Sequence, residues 1–391
     1  MKNRSNSSTG YDDLDIPPCT ETLCSFFPLT VLIPVTTICI ILWIVGVTGN
    51  IITILIIRRY KDMKTTINFY LSSIAVSHMI ILFCLPFDLY RLWRSNPWIF
   101  GDFLCRFFYF IGEGCTYSTI LHITALSIER YLAICFPLKA KVFITKRRVK
   151  VVILFLWAFA LLSAGPFFFL TGMEPENFPD PSESSLNCKE TRYAKETGLL
   201  NILLWVPTIY FFIPMFCLNI LYGFIGRTLW KSKDRIRESV ASSKEFRNHK
   251  HTVRLWGRTL WKNKDWIRGP SVATREKSHR QTVKILAVVV VAFVICWLPF
   301  HIGRIIFVNI TDMQMLYFSQ YFNMAAMLLF YLSASINPIL YNLISKKYRA
   351  AAYKLLRPVP PGKRAYSVTR DDTGGYTDTS ASIQNDYVIN N

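Results

Sequence analysis

The 391-residue sequence is short of charge: Asp, Glu, Lys and Arg make up 18% of it, against about 25% in ordinary globular chains. It is shorter still of acid, with 25 Asp and Glu against 45 Lys and Arg. Its ten cysteines form no CxxC unit, which argues against zinc ribbons, thioredoxin-like sites and dense disulfide scaffolds. No metal-ligand cluster, nucleophile–base pairing or phosphate-cradling glycine loop is legible, so nothing points to an enzyme, a metal or a cofactor. The segment before the first apolar run carries Asp12, Asp13, Asp15 and Glu21 and lacks a basic-then-apolar leader, so no cleavable signal peptide is expected. What the chain has instead is 52% apolar residues, too many for disorder over most of its length.

Seven apolar stretches, roughly 29–57, 67–93, 103–136, 150–171, 199–226, 283–308 and 315–344, reach the ~20 residues that cross a bilayer core. The composition and these runs indicate an all-α membrane protein. Thirty-five of the 45 bases fall in 58–64, 137–150, 227–284 and the stretch after 345. Retention of Lys and Arg on the cytoplasmic side then puts the amino terminus outside and the carboxyl terminus inside. That topology accounts for the basicity without nucleic acid. It divides the chain into an outer segment 1–28, a bundle over 29–344 with an inner loop 227–282, a juxtamembrane helix 345–357 and a disordered tail 358–391. Asn3, Asn6 and Asn309 open glycosylation sequons on the outer side. Cys105 at the mouth of the third span and Cys188 in outer loop 172–198 either form a bridge or stand as two free thiols. Cys19 and Cys24 allow a second, local loop.

Ionisable groups inside apolar spans are costly and point to function. Glu113 and Arg304 each lie in an otherwise apolar outer half-span, and they either pair with each other or face a charged ligand. Arg130, at an inner boundary, pairs with Glu129 as a lock, or the two simply snorkel to the interface. Pro214, Pro299 and Pro338 each remove a helical hydrogen bond and kink their spans. Phe293 and Trp297 lie one turn apart before the Pro299 bend. His301, one turn beyond Trp297, has no second ligand three or four residues away and reads as a packing histidine.

Gly49-Asn50, Glu129-Arg130-Tyr131, Trp157, Pro214 with Tyr222, Cys296-Trp297-Leu298-Pro299 and Asn337-Pro338-Ile339-Leu340-Tyr341 stand in this order on six spans. In this the chain resembles the rhodopsin-like G-protein-coupled receptors over residues 29–357. Within that family, Leu85 to Trp93, Phe300 to Arg304 and Tyr331 to Asn337 are similar to the group of receptors for motilin and ghrelin. Gly112 to Tyr117 and Met315 to Asn323 resemble its motilin branch. The resemblance implies a seven-transmembrane helix bundle with an amphipathic eighth helix in the plasma membrane. It implies a receptor for a gut peptide hormone, motilin or alternatively ghrelin, acting through a heterotrimeric G protein of the Gq type, phospholipase C and calcium release. Arrestin and a receptor kinase would act on the tail. Carried over by position, Glu113 engages the ligand's amino terminus and Arg304 is its electrostatic counterweight. Phe87, Asp88, Arg91, Phe300, His301, Phe307 and Gln320 would line the rest of the pocket. Glu129, Arg130, Tyr131, Tyr222, Phe293, Trp297, Pro299, Asn337, Pro338 and Tyr341 would relay activation.

One departure from the family is large. Where its second span carries an aspartate that helps bind sodium, this chain has His78, although Thr119, Ser333 and Asn337 match the surrounding shell. Imidazole offers a hard cation no anionic oxygen. The expectation is a receptor that sodium does not modulate, in which His78 protonation influences the active-state balance. A buried neutral His78 bonded to Asn337 is the alternative. In the inner loop, Gly226 to Lys231 recurs as Gly257 to Lys262, a duplication that lengthens it with or without altering transducer choice. From Lys346 to Leu356 bases and apolar residues alternate at helical spacing, as on a helix lying along membrane lipid. The Ser- and Thr-containing tail offers arrestin an anionic patch once phosphorylated. A transporter is the competing class, but seven spans and a repeat confined to a loop fit poorly with inverted symmetry.

Overall fold

A computed structural model describes residues 25–94, 97–175, 186–249, 270–308 and 312–356. Asn3, Asn6, Asn309, Cys19, Cys24, the second copy of the duplicated segment and the tail lie outside the described residues. In chain order the elements are α1 (Leu29–Arg59), α2 (Thr66–Trp93), α3 (Gly101–Cys135), α4 (Pro137–Phe143) and α5 (Lys146–Leu170). An antiparallel hairpin follows, β1 (Thr171–Pro175) with β2 (Leu186–Glu190), in which Met173 faces Cys188. Then come α6 (Arg192–Glu196), α7 (Leu200–His249), α8 (Pro270–Val308), α9 (Met313–Ile344) and α10 (Lys346–Leu356). The helices run past the apolar stretches, so the described parts of the inner segment continue α7 and lead into α8.

Within α1, α2, α5, α7, α8 and α9 lie six segments long and apolar enough to cross a membrane. The seventh long helix, α3, is more polar for a physical reason. It packs against α2, α5, α7 and α8 and buries Glu113, Thr116, Ser118, His122, Ser127 and Glu129. A helix surrounded by protein has no lipid to satisfy, so it can carry the groups that lipid-facing helices cannot. Hydroxyls on α3 bond back to their own helix, as Thr116 does to the Gly112 carbonyl at 2.8 Å and Ser127 to that of Ile123 at 2.8 Å.

Helix starts follow local chemistry. Thr65, Thr145 and Asp312 accept from the backbone N–H groups of Asn68, Arg148 and Met315, opening α2, α5 and α9. Close approach is set in part by Gly46, where an added Cβ would stand 2.5 Å from Ser335 Oγ and 2.8 Å from a Leu82 methyl. A disulfide joins Cys105 to Cys188, so the bridged alternative holds. Asp102 strengthens the same junction, accepting from Arg106 Nε at 2.6 Å and from the Met173 N–H at 2.9 Å. The hairpin is thereby tied to the first turns of α3. At the opposite end of the bundle Tyr348 and Ala351 of α10 pack on Ile56 and Tyr341, and the Tyr348 hydroxyl lies 2.7 Å from Thr53 Oγ1. Burial raises the Tyr348 pKa, against a smaller opposing pull from that bond.

Candidate ligand pocket and relay

The half of α3 nearer the disulfide and the part of α8 after Pro299 meet at one ion pair. Arg304 Nη1 lies 2.8 Å from Glu113 Oε1, with Glu113 buried. The second oxygen, Oε2, makes no well-formed hydrogen bond among the described residues. The guanidinium is also held between two rings, 5.2 Å from the Phe300 centroid and 5.5 Å from that of Phe167 on α5. Two further charges stand on α2. Asp88 accepts from the Tyr331 hydroxyl of α9 at 2.5 Å, while Arg91 lies over the Tyr109 ring of α3 at 5.5 Å. Phe87 turns instead to an aromatic group with Trp98, Phe100 and Phe108 beside the disulfide. Gln320 is half-buried on α9, and the Phe307 side chain lies outside the described residues.

From the ion pair a column of rings continues along α8 toward Phe293. His301 packs 4.5 Å from Phe211, Phe300 stacks on Phe330 at 5.7 Å, and Trp297 meets Phe330 at 4.9 Å and Phe293 at 5.2 Å. The Trp297 indole donates to Ser333 Oγ at 2.9 Å, tying the helix turn at Pro299 to α9. Toward the last turns of α3 Arg130 and Glu129 form an ion pair, and Glu129 Oε1 also accepts from Thr66 of α2 at 2.6 Å. Tyr222 and Ser127 share a hydroxyl contact at 3.4 Å. Tyr131 packs on Phe136 and Phe224, and the Tyr341 ring rests near Tyr348 at 6.2 Å.

The family model described as 7 transmembrane receptor (rhodopsin family) matches residues 49–341. The chain belongs to the rhodopsin family of seven-transmembrane receptors. It is 48% identical to the motilin receptor of Homo sapiens over 94% of both chains. It is 46% identical to growth hormone secretagogue receptor type 1 of Oryctolagus cuniculus, covering 92% of this chain and 91% of that one. Neurotensin receptor type 1 of Mus musculus is 34% identical over 84% of this chain and 77% of its own. This protein is thus a multi-pass membrane receptor of the peptide-hormone kind and not an enzyme.

Against that background the departures of this rhodopsin-family receptor are local. His78 is buried, and its Nδ1 has no hydrogen-bond partner among the described residues. Asn337 does not bond to it: the amide donates to the Ser333 carbonyl at 3.3 Å, and Thr119 donates to that of Cys115 at 2.8 Å. The Thr119 and Asn337 side chains thus bond to their own helices. Sequence reasoning passed over Phe167, Tyr109 and Phe330, which stand beside the ion pair, Arg91 and the ring column. They are aromatics inside apolar runs, and only their three-dimensional neighbours set them apart from lipid-facing residues.

Proposed function

We propose that this receptor binds motilin at Glu113 and transmits occupancy to a heterotrimeric G protein, raising cellular calcium. The observation that carries the reading is 48% identity to a motilin receptor spanning 94% of both chains. The geometry supports a specific course. The peptide's ammonium competes with Arg304 for Glu113 and draws the guanidinium away from Phe167 and Phe300. Loss of that contact loosens Phe300 and Trp297, and α8 pivots at Pro299. Its inner half swings outward, Arg130 leaves Glu129, and Tyr222 and Tyr341 gain polar partners in the opened cavity. Agonist and G protein then favour one shared state, and each strengthens the other's binding.

In this reading the amino terminus is extracellular, residues 1–28 precede the bundle, and the basic inner face and tail are cytoplasmic at the plasma membrane. The inner loop 227–282 and α10 face the transducer and the lipid headgroups, while 358–391 serves receptor kinase and arrestin. Calcium release in cells expressing the chain, exposed in parallel to motilin and to ghrelin, tests the reading. We expect response to motilin at the lower concentration. A stronger response to ghrelin reassigns the hormone, and silence to both with hormone-independent substrate uptake refutes the receptor mechanism.

A further inference from the structure

Glu113 has one oxygen to spare. Arg304 holds Oε1, while Oε2 makes no well-formed hydrogen bond among the described residues. One turn further along α3 the Tyr117 hydroxyl is in the same condition, fully buried and without a well-formed bond among the described residues. Side chains on a helix lean back over the preceding turn, so the residue four places on is the one whose tip points to Glu113. Glu113 and Arg304 both act electrostatically on this hydroxyl, as its nearness to them requires. A buried donor and a buried acceptor that each lack a partner destabilise the bundle when apart and offset one another when joined.

Neighbouring helices fix where the Tyr117 ring can lie. It stacks on Tyr210 of α7, with centroids 4.2 Å apart and planes at 16°, and the Tyr210 hydroxyl is pinned in turn by donating to Ser163 Oγ of α5 at 2.5 Å. Ala160 and Ala164 of α5 pack in the same cluster. So near does α5 come that a Cβ added at Gly114 would stand 2.8 Å from a Leu161 methyl. A phenylalanine ring would fill this slot as well, so the hydroxyl is the part that packing does not require. We propose that Tyr117 is a positioning residue for the ligand contact, its hydroxyl donating to Glu113 Oε2 and holding the carboxylate turned toward α8. Oε1 is then presented to Arg304 in the free receptor and to the peptide's ammonium in the occupied one, a consequence that rests on the motilin reading above. Without the hydroxyl the carboxylate keeps more torsional freedom, which the arriving ammonium must remove at a loss of affinity.

One arm of the test uses no hormone, so the two readings fail separately. Infrared spectra are recorded on the full chain in nanodiscs, and the Glu113 carboxylate band is assigned by its loss in Glu113→Gln. We expect Tyr117→Phe to move this band, because a hydrogen bond to a carboxylate changes its stretching frequency, and Tyr210→Phe, which releases the stack from Ser163, to move it less. The second arm records calcium dose–response curves in cells. Motilin potency falls about five- to tenfold in Tyr117→Phe, N-acetylated motilin loses less than about twofold, and in a Glu113→Gln background the Tyr117→Phe change removes almost nothing further. Should Tyr117→Phe fail to fold, 3-fluorotyrosine in place of Tyr117, a stronger donor on the same ring, is used and the same band must move. A Glu113 band untouched by these changes overturns the proposal, as does a moved band with motilin potency unaltered, or an equal loss for motilin and its acetylated form. A moved band in a parent receptor that stays silent to motilin supports the contact and refutes the hormone reading alone.

Discussion

Replacing Glu113 by Gln removes one charge where the free receptor has no substitute for it. In the unliganded bundle the change strands the Arg304 guanidinium between Phe167 and Phe300. Breaking one side of a fully buried pair typically costs about 3–5 kcal/mol. Arg304 keeps 24% of its side chain exposed and retains both ring contacts, so we expect about 1–3 kcal/mol of lost stability here. The effect on the hormone is separate. A hydrogen bond between charged groups contributes about 1.5–3 kcal/mol, so motilin potency in the Glu113→Gln variant falls roughly 10- to 150-fold. A distorted pocket would lower potency too, so the assay is a cycle. Calcium dose–response curves are recorded for the parent receptor and the variant, each with motilin and with N-acetylated motilin. If Glu113 reads the amine, acetylation weakens the parent by about the same factor and the variant hardly at all, a coupling of about 1.5–3 kcal/mol. Losses that merely add would refute the contact and leave Glu113 and Arg304 as a structural pair.

Four other outcomes are expected. Cys188→Ser removes the tie between the hairpin and α3, a loss of about 2–5 kcal/mol, and flow cytometry on intact cells should find few surface copies; parental amounts would contradict this. Thr66→Ala deletes the 2.6 Å bond to Glu129, and a loss of about 1 kcal/mol from the locked state raises hormone-free nucleotide exchange about fivefold. Unchanged basal exchange would separate Thr66 from the lock. His78→Asp supplies the anionic oxygen that imidazole lacks and makes motilin affinity fall with added sodium, whereas the parent is indifferent; equal sodium responses in the two would sink the assignment. Gly46→Ala drives a methyl into Ser335 and Leu82 and lowers stability by about 1–3 kcal/mol, read as an earlier thermal transition in nanodiscs.

Element existence was legible because a bilayer imposes a single length scale, and α1, α2, α5, α7, α8 and α9 all carry segments long and apolar enough to cross it. Their ends were less so: α7 continues to His249 and α8 starts at Pro270, in polar sequence whose helicity comes from propagation of the spans and not from hydropathy. The hairpin of β1 and β2 has five-residue strands, too short for an alternation signal, and it is fixed from outside by Cys105 and Asp102. Glu113 and Arg304 were found because charge in hydrocarbon needs a reason. That Asp88 meets Tyr331 while Phe87 turns to Trp98 depends on rotation of α2, which sequence spacing leaves open.

The polarity of α3 also bears on how the chain is made. A translocon that meets this segment by itself finds Asp102, Arg106, Glu113, Glu129 and Arg130 on one helix, and a single such charge near mid-bilayer opposes insertion by about 2.5–3.5 kcal/mol. Lateral release must lean on α2, the neighbour already synthesised, while α5 and α7 have yet to leave the ribosome. A nascent chain stalled after residue 135 therefore holds this charged helix with only α2, of the long helices α2, α5, α7 and α8 that it packs against, in place.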